Sequence, residues 1–458
     1  MDFLPCPARY PCIDMKHAPR PLRRRLQRAL LAALCAASLG AFTPAQAQLG
    51  LPRIGLPSVS RELPRLTNTS LPELLRNSVP LQSLRLSTVS DLLRNHRDVL
   101  EADPAGEPVR RQELLLISPA SAVVDAALAM GMVVVREQNL PALELRQLVL
   151  LVPAGLSTAV ALARLRAIDP QLDADYNHIY TRSGDVRAAA AAPMHDGDAS
   201  TTTARRVGLI DGGVDRQHAA LRQASIDAWG CKGAAVPSAH GTAVASLLVG
   251  RDGAFAGVTP QSTLYAADIY CEQPAGGAAE DIALALAWMA QRNVGVINIS
   301  LVGPANKLLE RAVQAMIRKG HLIVAAVGND GPAAPPLYPA SYAGVIGVTG
   351  VWPTRRVLPE AAQGPQVTFA APGADLAVAR SGGGYAVARG TSFAAPLVAG
   401  LLAESHRAPD VASAQAAVQR VMELAQDLGA PGRDPVYGAG LVGERARVAP
   451  DVVQARAR

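Results

Sequence analysis

Apolar residues in the C-terminal half of the chain fall into short runs, and amphipathic stretches with helical spacing separate several of these runs. A strand that is buried on both faces is apolar throughout. The alternation from Arg205 onward therefore predicts an α/β fold, with a mostly parallel sheet covered by helices on both faces. In such a sheet, functional side chains lie in loops beyond the carboxyl ends of the strands. The predicted strands are RVGLI, LYAADIY, VGVINIS, HLIVAAV and GVIGVTG, and the predicted helices include AEDIALALAWMAQR and NKLLERAVQAMIRKG.

A smaller region upstream has a different order of elements. Between Glu113 and Tyr180 the pattern predicts a strand (ELLLIS), a helix (ASAVVDAALAMG), two strands (MVVVRE and LRQLVLLVP), a second helix (STAVALARLRAI) and a last extended segment. The order β-α-β-β-α-β is that of a small ferredoxin-like α+β sandwich. We therefore assign residues 111–181 to a small domain that precedes a main domain at residues 205–450.

Two segments have compositions that are typical of loops. Residues 48–110 are rich in Pro, Leu, Arg and Ser and show helical spacing only at residues 89–99, so we interpret them as a loosely structured spacer. Residues 182–204 contain four consecutive alanines, at 189–192, among Gly, Ser, Asp and Thr. Such a segment has little with which to form a core, and we predict an exposed linker that proteases can reach.

Residues 1–47 predict a signal peptide. Five arginines precede a mainly apolar run at residues 29–42, and the sequence Ala45-Gln46-Ala47 that follows is typical of a signal-peptidase site. The run is too short to span a membrane comfortably, and no later stretch reaches about 18 uninterrupted apolar residues. We expect cleavage after Ala47 and a secreted or periplasmic protein with no integral membrane segment once the leader is removed. The arginines are Arg20, Arg23, Arg24, Arg25 and Arg28.

The net charge of +6 is concentrated in this leader. Residues 1–47 contain seven Lys or Arg and two Asp or Glu, which gives +5. The rest of the chain is therefore nearly balanced, and it contains no stripe of basic and aromatic residues. This distribution argues against a nucleic-acid partner.

Two of the five cysteines remain after the leader is removed, since Cys6, Cys12 and Cys35 belong to it. Cys231 and Cys271 each end an apolar segment, SIDAWGC and LYAADIYC. If these segments are neighbouring parallel strands, their carboxyl ends bring the two sulfur atoms within bonding reach. In an oxidising compartment this predicts one disulfide, and two unrelated buried thiols are the alternative.

Three candidate catalytic residues lie at positions that the predicted sheet would bring together. Asp211 directly follows the strand RVGLI and precedes two glycines, which suits it to orienting a histidine, but a lone Asp here is more commonly a turn or cap residue. His240 opens the apolar string HGTAVASLLVG. Ser392 lies in GTSFAAPLVAGLLA, where a Gly-Thr-Ser turn leads into a helix of small residues. The backbone dipole at a helix start favours developing negative charge, which suits a nucleophile.

A fourth candidate, Asn329, lies in HLIVAAVGNDG after a predicted buried strand. Gly328 and Gly331 leave steric room beside it, so that its amide could donate to an oxyanion. Stabilisation of a turn is the alternative role. A zinc hydrolase is disfavoured because the chain contains no HExxH sequence, and no GxGxxG phosphate loop follows the strand RVGLI.

Together and in this order, the strings IDGGVD, HGTAVAS, INIS, AAVGNDG and GTSFAAP closely resemble the subtilisin-like (subtilase) family of serine peptidases, over roughly residues 205–441. The resemblance implies a subtilisin-like fold and a secreted serine endopeptidase. It implies Ser392 as the nucleophile, His240 as general base and then acid, and Asp211 as the residue that orients His240. It also implies Asn329 as an oxyanion donor, together with the backbone N–H of Ser392.

The resemblance also implies where a peptide substrate would bind. In the family a peptide adds as a strand to the segment that matches Ser300, Leu301 and Val302. The family commonly has glycine at the positions of Val302 and Val327, the second of which precedes Gly328. Either valine would narrow a pocket or shift the peptide. We therefore predict a preference for small or modest side chains on the substrate residue before the cleaved bond.

By the same resemblance, the ferredoxin-like domain would be a propeptide that assists folding and inhibits the enzyme in cis. The chain would then be a self-processing zymogen. The extended end of the domain near Tyr180 would lie in the cleft, and self-cleavage would occur between Thr181 and Ala204.

Two questions stay open from the sequence. Calcium is common in the family, but the chain shows no acidic loop with recognisable ligand spacing, so no cofactor is identified and calcium binding is undecided. The alternative function is that of a catalytically silent subtilase relative, a binding or scaffold protein. The intact candidate residues disfavour this alternative.

Overall fold

The computed structural model describes residues 81–182, 184–188, 205–271, 273 and 276–454. All of them belong to one compact unit that begins at Thr69. The predicted signal peptide, residues 48–80 of the predicted spacer, and residues 183 and 189–204 of the predicted linker lie outside the described residues.

The helices and strands of the described residues are numbered in chain order. The helices are α1 (Leu81–Asn95), α2 (Ser121–Ala129), α3 (Thr158–Ile168), α4 (Ala239–Val249), α5 (Ala279–Gln291), α6 (Lys307–Arg318), α7 (Thr391–Ala403), α8 (Val411–Leu424) and α9 (Pro450–Gln454). The strands are β1 (Leu100–Ala102), β2 (Pro108–Ile117), β3 (Val133–Leu140), β4 (Leu145–Leu151), β5 (Ala174–His178), β6 (Thr181–Arg182), β7 (Asp185–Ala188), β8 (Arg206–Asp211), β9 (Ile226–Gly230), β10 (Arg251–Asp252), β11 (Phe255–Ala256), β12 (Thr263–Asp268), β13 (Val296–Ile299), β14 (Leu301–Val302), β15 (Leu322–Ala326), β16 (Ile346–Val351), β17 (Val367–Pro372), β18 (Leu376–Ala379) and β19 (Tyr385–Arg389).

A seven-stranded parallel sheet forms the centre of the main domain, residues 205–454. Its strand order is β17-β16-β15-β13-β8-β12-β9. Strands β13 and β15 are buried at every position, as expected of the centre of a parallel sheet, and Asn298 is the one polar residue of the two strands. Helices α4, α7 and α8 pack in the hydrophobic cluster of one face, and α5 and α6 pack in that of the other. The predicted parallel sheet with helices on both faces is confirmed.

The starts of two helices follow from local sequence. Ser238 precedes α4, and its hydroxyl accepts a hydrogen bond from the backbone N–H of Gly241, 2.9 Å away. The side chain of Asn306 caps α6 by accepting from the N–H groups of Leu308 and Leu309. Such caps satisfy backbone donors that the helix itself leaves unpaired. Both helices are thereby fixed where they enter the domain.

The small domain, residues 100–178, contains an antiparallel sheet with the order β5-β2-β4-β3, and β1 pairs with the start of β2. Alternate residues of β2 face opposite sides. Leu114 and Leu116 pack in a cluster with α2 and α3, whereas Leu115 and Ile117 pack in the cluster that contains α5 and α6 of the main domain. Coverage of both faces explains why ELLLI is apolar throughout. The predicted ferredoxin-like order of elements is confirmed.

Residues 81–110 are more ordered than the predicted spacer. Helix α1 begins at Leu81, well before the predicted stretch at residues 89–99, and the segment also contains β1 and the start of β2. Sequence spacing was a weak guide because α1 buries few apolar side chains: Val89 is buried, but Leu86 is 70% exposed. An ion pair between Arg85 and Glu107, 2.6 Å apart, ties α1 to the small domain instead.

Cys231 and Cys271 form a disulfide, with their Cα atoms 5.1 Å apart. Cys231 directly follows β9, and Cys271 lies in the loop after β12. These two strands are parallel neighbours. The strand ends therefore bring the sulfur atoms together in the way that the sequence predicted.

Candidate active site

Asp211 and His240 are hydrogen-bonded to each other at the carboxyl edge of the main sheet. Asp211 ends β8 and is fully buried, and His240 is the second residue of α4. Nδ1 of His240 lies 2.8 Å from Oδ2 and 3.0 Å from Oδ1 of Asp211. Because an ionised carboxylate can only accept, Nδ1 carries the proton in this pair and Nε2 is left as the basic nitrogen.

A glycine allows this approach of helix to strand. A Cβ atom at Gly241 would overlap the backbone oxygen of Gly212, which follows Asp211 directly. The N–H of Gly212 also donates to Oδ1 of Asp211, at 2.6 Å. The glycines next to Asp211 and His240 are thus packing requirements of the pair.

Ser392 is the second residue of α7 and is fully buried. Its hydroxyl donates to the backbone oxygen of Ser300, 3.2 Å away, and the hydroxyl of Ser300 donates in return to the backbone oxygen of Ser392, at 2.9 Å. The side-chain amide of Asn298 donates to Oγ of Ser300, at 2.8 Å. The end of β13 and the start of α7 are therefore tied together around Ser392.

His240 contacts the residue after Ser392 and makes no hydrogen bond to Ser392 itself. The imidazole ring lies 5.2 Å from the ring of Phe393, the residue after Ser392, measured between centroids. Nε2 of His240 is buried and has no hydrogen-bond partner among the described residues. The structure thus joins Asp211 to His240 and places the imidazole beside Phe393, while the hydroxyl of Ser392 is turned toward Ser300.

Asn329 lies in the loop after β15 and contacts the start of α7. Its Oδ1 accepts from the backbone N–H of Thr391, 3.0 Å away, and the N–H of the neighbouring Gly328 donates to Oγ1 of Thr391 at 3.2 Å. With Oδ1 as the acceptor, the orientation of the carboxamide is fixed, and its NH₂ is the donor end. Asn329 therefore contacts the residue that precedes Ser392 at the start of α7.

The chain's own segment after the small domain runs past Ser392. Strand β6 pairs antiparallel with β14, so that Arg182 is opposite Leu301 and Thr181 is opposite Val302. Strand β7 then pairs antiparallel with β19, which ends shortly before Ser392. Extended backbone of the protein itself therefore occupies both sides of the candidate nucleophile.

Tyr180 anchors this segment and is fully buried. Its hydroxyl donates to the backbone oxygen of Pro304 at 2.7 Å, and its own backbone oxygen accepts from the hydroxyl of Tyr270 at 3.0 Å. Its N–H donates to the backbone oxygen of Gly277 at 2.8 Å. A Cβ atom at Gly303 would overlap the ring of Tyr180. The sequence analysis did not identify this pocket for the Tyr180 ring. Gly303 was the residue that could have indicated it, because only a glycine leaves room for the ring there.

The two valines that depart from the family pattern have different surroundings. Val302 lies in the edge strand β14 beside Thr181 and is 4% exposed. Val327 is fully buried in the core, where its Cγ1 atom packs against Gly347 of β16. The side chain of Val327 is therefore accounted for by core packing, and only Val302 is placed to shape a peptide site.

Asp268 lies beside Asp211, because β12 pairs with β8 and these two residues are directly opposite. Its Oδ1 accepts from the N–H groups of Tyr270, at 2.9 Å, and Cys271, at 3.0 Å. Burial raises the pKa of this carboxyl, and the backbone hydrogen bonds and the positive charge of Arg182 oppose the rise. Sequence reasoning missed Asp268, although an acidic residue in the strand LYAADIY repeats the pattern of Asp211.

Comparison with known proteins agrees with this architecture. The sequence model of the Subtilase family matches residues 203–440. The chain is 30% identical over 212 residues to the minor extracellular protease Epr of Bacillus subtilis, which covers 45% of this chain and 33% of that protein. It is 33% identical over 207 residues to a thermostable alkaline protease of Halalkalibacterium halodurans, which covers 44% of this chain and 56% of that protein. The matches thus span a third and just over half of these two relatives.

Other relatives are matched over more of their length. Subtilisin E of Bacillus subtilis is 30% identical over 275 residues, which cover 56% of this chain and 68% of that protein. The crystal structure of fervidolysin from Fervidobacterium pennivorans, a keratinolytic enzyme related to subtilisin, superposes with a TM-score of 0.60 at 20% identity, over 78% of this chain and 62% of that one. At this identity the superposition shows the fold alone. The match of the family model, together with these relatives, shows that the chain belongs to the subtilase family of serine peptidases.

Proposed function

We propose that the protein is an exported serine endopeptidase that is made as a zymogen and cleaves itself. One observation carries the proposal: in the segment after the small domain, β6 pairs as a strand with β14, and β7 then pairs with β19, which ends shortly before Ser392. In our proposal a peptide bond between these two strands reaches Ser392, because strand addition presents a substrate in an extended conformation.

The chemistry follows from the Asp211–His240 pair. The Nδ1–H of His240 points at Asp211, so Nε2 is available to take the proton of the Ser392 hydroxyl as Oγ attacks the carbonyl carbon. Asp211 stabilises the imidazolium that forms. His240 then gives the proton to the leaving amine, and water releases the acyl group from Ser392 by the same route in reverse.

The oxyanion of the tetrahedral intermediate needs donors that are already in place. The NH₂ of Asn329 and the backbone N–H of Ser392, in the first turn of α7, supply them in our proposal. The helix dipole of α7 favours negative charge at this end. Fixed donors of this kind need no reorganisation as the charge develops.

The self-cleaved bond is assigned from the packing of Gly184. A Cβ atom at Gly184 would lie 2.7 Å from the ring of Phe393 and 3.2 Å from the backbone oxygen of Arg389, so Gly184 packs against residues on both sides of Ser392. We assign the peptide bond that precedes Gly184, between residues 183 and 184, as the one that is cleaved. The residue before this bond is a serine, in keeping with the predicted preference for small side chains there.

The small domain acts as the propeptide in this proposal. Once the bond is cut, Tyr180 stays anchored by Pro304, Gly277 and Tyr270, and the pairing of β6 with β14 continues to block the site. Inhibition then persists until the small domain dissociates or is degraded. Peptide and protein substrates take its place in the mature enzyme.

Export rests on the predicted leader and on the disulfide. The bond between Cys231 and Cys271 is of the kind that persists in an oxidising compartment, outside the cell or in the periplasm. In the part of the chain that the structure describes, no helix is long and apolar enough to cross a membrane.

Mass spectrometry of purified protein beside its Ser392→Ala variant tests the proposal. We expect the wild type to yield a fragment that begins at Gly184 and the variant to remain uncut. A fluorophosphonate probe should label Ser392 in the mature protein and in a Ser405→Ala control, which alters a serine beyond the end of α7. A wild-type protein that stays intact, takes no label and hydrolyses no peptide would instead support the alternative of a catalytically silent binding protein.

A further inference from the structure

We propose that this enzyme selects substrates with arginine at the second residue before the cleaved bond, and that Asp268 and Tyr270 bind it. The inference rests on the proposed function and names the substrate class of that same site. Arg182 occupies this position when the bond before Gly184 is the one cleaved.

The guanidinium of Arg182 lies over an aromatic face. Its Cζ atom is 4.2 Å from the centroid of the Tyr270 ring, the geometry of a cation–π contact. Gly212 provides the room on the other side, because a Cβ atom there would lie 2.8 Å from Nη2 of Arg182. A planar guanidinium fits between the glycine backbone and the ring, which a compact ammonium would not do equally well.

Two carboxylates supply the charge that the guanidinium requires. Nε of Arg182 is 4.0 Å from Oδ1 of Asp211, and Asp268 is directly opposite Asp211 on the neighbouring strand. Asp211 is already engaged by His240, whereas Asp268 uses Oδ1 for backbone hydrogen bonds and faces the glycines after β8 with Oδ2. The charge of Arg182 favours the ionised form of the Asp268 carboxyl, and we therefore assign the charge that attracts the guanidinium to Asp268.

The loop that carries this pair is held rigidly. Tyr270 and Cys271 both donate their N–H groups to Asp268, and the disulfide ties Cys271 to Cys231 at the end of the next strand. Tyr270 also donates its hydroxyl to the backbone of Tyr180, two residues before Arg182. The disulfide and the hydrogen bonds to Asp268 lie within the main domain, so they hold this loop after the small domain leaves. Arg182 remains 37% exposed, so the site is an open groove that gives a preference and not an absolute requirement.

The test uses the self-processed enzyme and quenched fluorescent peptides with the sequence Tyr-Thr-Xaa-Ser-Gly-Asp-Val-Arg, taken from residues 180–187. Xaa is Arg, Lys, Gln, Ala or Glu. We expect kcat/KM to be highest for Arg, lower for Lys, lower again for Gln and Ala, and lowest for Glu. The ratio of Arg to Ala should be on the order of tenfold, the size expected of one cation–π contact with a nearby charge.

Two variants assign the preference to its residues. Asp268→Asn keeps an oxygen acceptor for the backbone of Tyr270 and Cys271 but removes the charge, so it should lower the kcat/KM of the Arg and Lys peptides toward that of the Gln peptide. Tyr270→Leu should reduce the advantage of Arg over Lys, while Tyr270→Phe, which keeps the ring face, should preserve it. Asp227→Asn is the charge-matched control, because Asp227 is paired with Arg292 at the surface of β9.

The outcomes separate this proposal from the function on which it rests. Equal hydrolysis of all five peptides would overturn the arginine preference and leave the peptidase assignment standing. A uniform loss for every peptide in Asp268→Asn would overturn the role of Asp268. A wild-type protein that cleaves none of the peptides and takes no fluorophosphonate label would overturn both proposals.

Discussion

The hydroxyl of Ser392 donates to the backbone oxygen of Ser300, 3.2 Å away. Nε2 of His240 meanwhile has no hydrogen-bond partner among the described residues. The hydrogen bond between Asp211 and His240 is therefore already formed, and in our proposal the hydroxyl of Ser392 turns from Ser300 toward Nε2 of His240. Exchanging one neutral hydrogen bond for another costs little, about 1 kcal/mol at most. Catalysis in our proposal begins with this turn.

Asp211→Asn should reduce kcat by on the order of 10⁴-fold, because the amide would turn an NH₂ toward Nδ1 of His240 and favour the wrong tautomer. KM should change little, since Asp211 is fully buried. Steady-state hydrolysis of the Tyr-Thr-Gln-Ser-Gly-Asp-Val-Arg peptide measures both constants, because its glutamine has no charge that could interact with Asp211. A loss of kcat below tenfold would contradict the assigned role of Asp211.

The main sheet could be predicted, and the candidate residues could be located at its edge, because each depends on a short contiguous stretch of sequence. Asp211, His240 and Ser392 each lie at an element boundary within a distinctive string, and the structure places all three at the carboxyl edge of the sheet. Val327 was predicted to shape a substrate pocket, but its side chain packs in the hydrophobic core, which its position in the sequence does not reveal. Asp268 escaped notice because its importance comes from lying opposite Asp211, a register that only the folded sheet reveals.

The orientation of Ser392 and the course of residues 181–188 lay beyond sequence reasoning for a related reason. Pairing of β6 with β14 joins parts of the chain more than a hundred residues apart, and β7 with β19 does the same. Nothing local in either pair specifies the partner. Helix α1 was predicted only in its second half, where Val89, Leu92 and Leu93 pack against the fold, and an ion pair of Arg85 holds the first half.

Gly184→Ala should slow self-processing strongly. Gly184 has φ of +140° and its added Cβ would press on the ring of Phe393, which lies next to Ser392. The matched control is Gly155→Ala, at φ of +90°, where the added Cβ would meet no atom within 4 Å. Both variants carry backbone strain, but only the first obstructs the site. The measurement is the time course of the fragment that begins at residue 184 after expression is induced. Equal rates in the two variants would contradict the assigned bond.

Arg136→Ala should release the cleaved small domain more readily. Arg136 of β3 lies 2.8 Å from Glu280 of α5 and 2.7 Å from Glu113, and the side chain of Glu280 is only 4% exposed. Without Arg136, the buried carboxylate of Glu280 loses its cation in the complex. Because Arg136 itself is partly exposed, we expect the dissociation constant of the cleaved complex to rise by roughly ten- to a hundredfold.

Recovery of peptidase activity on dilution of the cleaved complex measures this constant. Arg146→Ala is the control, because its ion pair with Glu137 is exposed and lies within the small domain. Equal release by the two variants would show that the contact with Glu280 does not hold the propeptide.

Acid should destabilise the fold partly through His321. This residue precedes β15, is 3% exposed, and donates from Nδ1 to the backbone oxygen of Val294 at 2.7 Å. Burial lowers the pKa of His321 to about 4, from about 6.5 in an unfolded chain. Between these two pKa values, His321 binds a proton in the unfolded chain but not in the folded one. The stabilisation is complete above pH 6.5 and is lost as the pH falls toward 4.

His321→Asn isolates this effect, because the amide can still donate to Val294 but does not titrate. In a Ser392→Ala background, which prevents self-digestion, urea unfolding at pH 7.5 and pH 4.5 gives the free energy of unfolding of each protein. We expect the protein that retains His321 to lose on the order of 2 kcal/mol more than the Asn variant between these pH values. The neighbouring His406, whose pKa burial also lowers, is present in both proteins and cancels in the comparison. Parallel losses in the two proteins would mean that His321 accepts its proton in the folded state as easily as in the unfolded chain.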